Sequence, residues 1–354
     1  MNLIMLQPNR FLTEDGKQPN FRKNPFSNYD IMKTYSTYGV INMKQGLLLV
    51  NLGSPTSPKT SDVKKYLKEF LSDQNVIEMP KALWQPILRG IILPLRSWRS
   101  ATFYQDSWLN DGSPLIVYTQ TITDQVQALL PTWDVKMAMT YGQPDIAETL
   151  QKMQANGCTN VILFPLFPQY TQSTTKSIID QAQVTDVPLT IIKHFYDEPV
   201  YQKILASKIQ AEWDKDSYNE LFFSYHSIPT AMVKHGDPYQ DECETTTEQV
   251  SKYLDIPTDK IKTVYQSKFG PMPWLKPYLK NALMQSVELG RRNILIATPS
   301  FVADCLETLE EDYVQNYQTF KATGGDKFQL VPPMNGDQRF SQFLADLAVR
   351  NQAQ

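Results

Sequence analysis

Histidine and cysteine are both scarce in this 354-residue chain, with three of each. Cys158, Cys243 and Cys305 are widely separated and form no CxxC pair, so neither a disulfide framework nor a structural zinc site is indicated, and a reducing cytosol fits best. An iron–sulfur cluster normally takes four thiolates, one more than the chain holds, so no cluster is expected. No stretch approaches the ~20 apolar residues of a membrane span, and the start lacks the basic and apolar segments of a secretory signal. A dense basic stripe is also missing. The net charge is -3 with the two signs well mixed, which speaks against a nucleic-acid partner. Neither GxGxxG nor GxxxxGK[ST] occurs, so nucleotide binding has no phosphate cradle to rest on.

With imidazoles limited to His194, His226 and His235, chemistry near neutral pH that needs a base has few candidates. His226 is the best placed. It follows the apolar run Leu221-Phe222-Phe223 within Ser224-Tyr225-His226-Ser227-Ile228-Pro229, where the proline ends a short buried strand. That puts the ring at the carboxyl end of a strand, where open α/β sheets place their ligand crevice. Two readings stand at this point: a base in a cleft, or a satisfied histidine at a strand end.

Apolar runs recur along the chain as strands at 46–52, 135–140, 161–164, 189–193, 221–225, 261–267, 293–298 and 328–331. Helical patterns fill the gaps, among them 274–289 and 304–317. This is the rhythm of doubly wound sheets, about four parallel strands in each half. The fold class is therefore α/β, with two Rossmann-like lobes and a cleft between them lined by loops at the strand carboxyl ends. The expected domains are an extension over residues 1–43, disordered or upstream of a natural start at Met43, an N-terminal lobe over 44–212, a C-terminal lobe over 213–347 and a tail over 348–354. Within the first lobe, residues 79–107 differ in kind. Trp84, Ile87, Leu88, Ile91, Ile92 and Leu95 are interleaved with Arg89, Arg96 and Arg99, which suits a flat anionic ligand or a membrane face, or else a core helix pair with solvated arginines.

A second group of chemistry-bearing residues follows the strand at 293–298. Asp304, Glu307 and Glu311 stand at i, i+3 and i+7, so a helix would align them into a row able to relay a hydrated cation. Asp304 and Glu307 also fit a capping box, which stabilises a helix start and does nothing else. His226 and Glu307 both follow strands of the second half and would face each other across one cleft. One histidine and one carboxylate are too few to hold a structural metal, and suit one that is bound and released.

At these residues the chain resembles the ferrochelatases, which insert ferrous iron into a porphyrin. The likeness runs from about Gly46 to Leu347. It rests on Asn51-Leu52-Gly53-Ser54-Pro55, Gly112-Ser113-Pro114, Pro168-Gln169-Tyr170, the His226 hexapeptide, Gly236-Asp237-Pro238-Tyr239, Gln266 to Leu275, and Asp304-Cys305-Leu306-Glu307-Thr308-Leu309. The resemblance implies a porphyrin gripped between the lobes, protoporphyrin IX or coproporphyrin III, with His226 and Glu307 as the catalytic and metal-binding pair. It implies that Leu52, Ser113, Tyr141 and Trp274 line the porphyrin site, with Asp304 and Glu311 as a candidate metal relay. Cys305 stands where animal relatives carry histidine, and Leu52 where several relatives carry tyrosine. No permanently bound cofactor is implied, since Fe2+ is a substrate. Expected partners are the porphyrin and iron, at most peripheral membrane contact, and transient contact with neighbouring haem-pathway enzymes. A cobalt or nickel chelatase of related fold, or a non-catalytic tetrapyrrole or metal carrier, would share the same cleft.

Overall fold

The computed structural model describes residues 44–183 and 185–352, without the side chains of 310–314; the extension read at 1–43 lies outside them. Two four-stranded parallel sheets organise the chain. The first has the order β2-β1-β3-β4, made of β1 (Lys44–Ser54), β2 (Asp134–Gly142), β3 (Cys158–Pro165) and β4 (Leu189–Ile191). The second repeats it as β6-β5-β7-β8, made of β5 (Glu220–His226), β6 (Ile261–Gln266), β7 (Asn293–Ala297) and β8 (Lys327–Leu330). In each sheet the strand order reverses beside the first strand, between β1 and β3 and between β5 and β7. Crevices open at such points, beyond the carboxyl ends of the strands.

The alternation of side chains along each strand explains how the two sheets meet. Leu47 and Leu49 of β1 face one apolar cluster, while Leu48 and Val50 face another. In β5, Leu221 and Phe223 join the same cluster as Leu47 and Leu49, and Phe222 turns to the opposite side. Both sheets therefore bury one face in a common core. The helix Gln338–Arg350 adds Phe340, Phe343 and Leu344 to that core. It also crosses to the first half, where Ser341 Oγ donates to Gln125 Oε1 at 2.7 Å and Gln125 Nε2 donates to the Gly336 carbonyl at 3.1 Å. A boundary at 347 falls inside this helix, whose Ala348 is fully buried, so no tail starts there.

The arginine-studded stretch folds as helices Lys81–Ile87 and Leu93–Ser107 joined by a π-helical segment, Leu88–Ile92. Trp84, Leu88, Leu93, Ala101 and Tyr104 pack inward against Val63, Tyr66 and Leu67. Leu83, Ile91, Leu95 and Trp98 remain more than half exposed, at 63, 53, 67 and 61%. The stretch therefore packs one apolar face inward and leaves another uncovered. The helix expected over 274–289 begins only at Leu279. Pro273 and Pro277 withhold the N–H groups a helix start would use, and the segment pairs with the loop after His226 instead.

Candidate active site

The carboxyl end of β1 is shaped by short-range bonds. Asn51 Nδ2 donates to Thr119 Oγ1 at 3.0 Å, and Asn51 Oδ1 accepts the Leu52 N–H at 2.8 Å. Gly53 has φ +107°, and a Cβ built there would lie 1.8 Å from the Tyr141 carbonyl oxygen. Only glycine lets β1 and β2 come this close while Leu52 turns outward.

Beyond this loop lies a cleft of about 510 Å³ including its open mouth. The first lobe lines it with Leu52, Ser54, Tyr66, Tyr104, Ser113 and Phe167, and the second with Ser300, Phe301, Cys305 and Glu307. Burial, and after it the nearby Glu307 carboxylate, push the Tyr104 phenol and the Cys305 thiol far above their ordinary values. Burial, then Tyr104, then Glu307 do the same to Tyr66. These groups stay protonated at neutral pH, so the cleft offers neutral donors around one carboxylate.

His226 closes β5 opposite Gln266 of β6. Its Nδ1 lies 2.7 Å from the Ser227 carbonyl oxygen. A carbonyl only accepts, so Nδ1 carries a proton, and in the neutral ring Nε2 is the nitrogen with the lone pair. The following loop is zipped to residues 273–275: the Thr230 N–H donates to the Pro273 carbonyl at 3.0 Å, the Leu275 N–H to the Ile228 carbonyl at 3.0 Å, and Ser227 Oγ to the Leu275 carbonyl at 3.2 Å. Ser267, at φ +66°, turns the chain from β6 into this segment. Trp274 is thereby set beside Pro229, and its buried Nε1–H has no acceptor among the described residues.

Of the residues singled out in the sequence, the structure brings Leu52, Ser113 and Glu307 together in the cleft. His226 and Trp274 form a neighbouring pair of loops and are not among the residues lining it. Tyr141 is buried, packs on Phe70 with ring centroids 5.1 Å apart, and donates its hydroxyl to Asp73 Oδ2 at 2.8 Å. The predicted row of carboxylates is corrected. The helix is π-type and spans Glu307–Asn316, leaving Asp304 ahead of it. The Asp304 carboxylate accepts from Thr308 Oγ1 at 3.0 Å and from Asn335 Nδ2 at 2.7 Å, which pins the helix start and leaves Glu307 turned into the cleft. The Glu311 side chain lies outside the described residues. Tyr66, Tyr104 and Ser300 were not among the site residues expected from sequence. Of these, Tyr104 alone falls in a stretch singled out there, residues 79–107.

Fold and site define a two-lobed α/β protein with a cleft at the carboxyl ends of its strands. SirB from Bacillus subtilis with Fe3+ superimposes with a TM-score of 0.52 at 12% identity, covering 88% of this chain and 96% of that one. DR2241 from Deinococcus radiodurans, described as a multi-domain protein with structural similarity to chelatases, gives 0.51 at 8% identity, covering 88% of this chain and 56% of its own. At such identities the likeness concerns the fold. The ferrochelatase family model matches residues 44–352, and the chain belongs to that family. Its relatives include proteins named coproporphyrin III ferrochelatase from Lactiplantibacillus plantarum, 68% identical over 311 residues (88% of this chain, 96% of the relative). Those from Lacticaseibacillus casei and Lactococcus lactis are 61% identical over 308 residues (86% and 96%) and 39% identical over 315 residues (89% and 99%).

Proposed function

We propose that the porphyrin this ferrochelatase metallates is coproporphyrin III, and that His226 and Glu307 carry the chemistry. The reaction inserts Fe2+ into the ring and releases two protons, in haem synthesis. The observation that carries the residue assignment is the anchored imidazole: Nδ1–H is committed to the Ser227 carbonyl, so Nε2 is the nitrogen left to act. It stands at the carboxyl end of β5, next to β7, whose following loop brings Glu307 into the cleft. A free porphyrin is flat, with two N–H groups filling the hole the metal must enter. Apolar walls such as Leu52 and Phe301 grip the macrocycle, and that binding supports the bend exposing the pyrrole lone pairs. With its lone pair free, His226 Nε2 first contacts the incoming iron; it then takes one pyrrole proton, passes it to solvent and takes the second. Glu307 stabilises the imidazolium and the cation. Asp304 and Glu311 remain proposed as outer metal contacts, Asp304 with its carboxylate already shared by Thr308 and Asn335.

The other expected contacts follow as proposals. Ser113 supplies a hydroxyl in the cleft, while Tyr141, buried on Asp73, supports the wall from behind; Trp274 does so from the His226 side. The exposed face of residues 79–107 admits the macrocycle and allows at most peripheral contact with a bilayer; transient contact with haem-pathway enzymes is proposed at the same rim. No described helix is long and apolar enough to cross a membrane, and a cytoplasmic enzyme is proposed. The three thiols lie in three separate apolar clusters, which supports a reaction without an iron–sulfur cluster.

Anaerobic iron insertion with coproporphyrin III and protoporphyrin IX side by side tests the substrate. The expected outcome is kcat/KM higher by roughly tenfold or more for coproporphyrin III. Faster turnover of protoporphyrin IX overturns the assignment, and preference for cobalt or nickel over iron would favour the related chelatase reading.

A further inference from the structure

The loop that leaves β3 toward the cleft is held by the opposite lobe at four consecutive residues. Gln169 Nε2 donates to Thr246 Oγ1 at 2.9 Å, and Gln169 Oε1 accepts from Ser300 Oγ at 2.9 Å. The Tyr170 N–H donates to Glu242 Oε2 at 2.6 Å. Thr171 Oγ1 and the Gln172 N–H both donate to Asp237 Oδ2 at 2.8 Å. The two carboxylates are nearly inaccessible, Asp237 at 4% and Glu242 at 5% exposed, as is Gln169 at 1%. The second oxygen of each is also used. Asp237 Oδ1 accepts the Tyr239 N–H at 3.0 Å, and Glu242 Oε1 meets His194 Nδ1 at 2.8 Å.

Charged acceptors at this depth persist only when their hydrogen bonds are made, so the geometry is strongly preferred. The loop they hold is not remote from the site. Leu166 and Phe167, just before it, line the cleft on one side, and Ser300, bonded to Gln169, lines it on the other. We propose that Asp237 and Glu242 are positioning residues of the reaction: they clamp residues 169–172 from the other lobe and set the spacing of the cleft walls for the macrocycle. They touch neither the ring nor the metal. This rests on the cleft being the porphyrin site, a reading tested separately by wild-type turnover.

The test uses the full chain with Asp237→Ala, Asp237→Asn, Glu242→Gln and Thr171→Val, the last removing a donor from the first lobe. Iron insertion into coproporphyrin III is measured anaerobically, alongside amide hydrogen exchange. The expected result is a KM for porphyrin raised about tenfold in Asp237→Ala, with kcat within about twofold. Asp237→Asn, which keeps an acceptor oxygen, recovers part of the loss. Exchange at residues 170–172 quickens by about tenfold or more while β1 and β5 keep their protection. Thr171→Val adds little in the Asp237→Ala background, because the two share one bond. A lowered melting temperature with KM and local exchange unchanged overturns the proposal, as does a loss confined to kcat. Should wild-type protein fail to metallate any porphyrin while the exchange pattern holds, the substrate reading fails and the clamp stands as architecture only.

Discussion

Strand β5 begins and ends on an ionisable side chain, and the fold treats the two in opposite ways. Glu220, at the amino end, is fully buried. Its Oε1 pairs with Lys262 at 2.7 Å and Arg291 Nη1 at 2.5 Å, and its Oε2 accepts from Ser286 Oγ. Burial pushes this carboxyl up, but the bonds from Lys262, Ser286 and Arg291 outweigh it and hold the group below its ordinary value. Every acceptor there is used. At the carboxyl end, six residues on, His226 is half-buried, commits one nitrogen to the Ser227 carbonyl and leaves the other without a partner among the described residues. The same strand thus carries a saturated group that holds structure and an unsaturated one able to do chemistry. Leftover valence, rather than burial or charge, separates the two.

The sharpest way to break the contrast is to remove the chemistry at the carboxyl end without touching the fold. Glu307→Gln is expected to lower anaerobic iron insertion by about 100-fold, with the melting temperature within about 2 °C of wild type. A variant that melts several degrees lower yet turns over normally would make Glu307 a helix-start residue after all. At the amino end the reverse is expected. Glu220→Ala leaves Lys262 and Arg291 facing an empty buried site and costs about 3–5 kcal/mol in urea unfolding, while kcat of the folded fraction stays unchanged.

Smaller effects separate the two kinds of group by pH. Because Glu220 is depressed in the folded protein, its stabilisation is present above the ordinary carboxyl value of 4.5 and is lost as pH falls through the lower folded value. Glu220→Gln should flatten that acid limb. His194 has the opposite sign. The hydrogen bond to Glu242 raises it despite partial burial, with Asp197 adding to the rise and Lys193 opposing it. Its contribution is complete below about 6.5 and fades as pH rises through the raised value. The side chain is 43% exposed, so the expected difference between wild type and His194→Gln is under about 1 kcal/mol. Melting curves across neutral to mildly alkaline pH would show it, and a widening gap at high pH would contradict the sign.

Much of this was legible in the residues themselves. The central strands β1, β3, β5 and β7 fall on apolar runs that end at or just before glycine, proline or serine, because strands buried on both faces leave little polar alternation to misread. By contrast, β4, β6 and β8 carry polar residues and are partly exposed. His226 and Glu307 were legible as strand-end residues with few competitors. The contacts that separate wall from core were not. Tyr141 reads as a cleft residue until its hydroxyl is seen on Asp73, 68 positions away. Asp304 and Glu307 share a plausible helical spacing, and only Asn335 and Thr308 reveal which one is anchored. The clamp by Asp237 and Glu242 was invisible for the same reason: its partners lie 65 to 72 residues earlier. Local pattern sets elements, whereas the fate of each polar atom depends on what the fold brings from afar.

The most direct measurement is anaerobic iron insertion into coproporphyrin III by His226→Ala, with porphyrin binding followed by fluorescence on the same samples. Loss of insertion by about 10²–10⁴-fold with porphyrin affinity within about threefold is the result predicted from a single unshared imidazole nitrogen. Turnover within about threefold of wild type would contradict it.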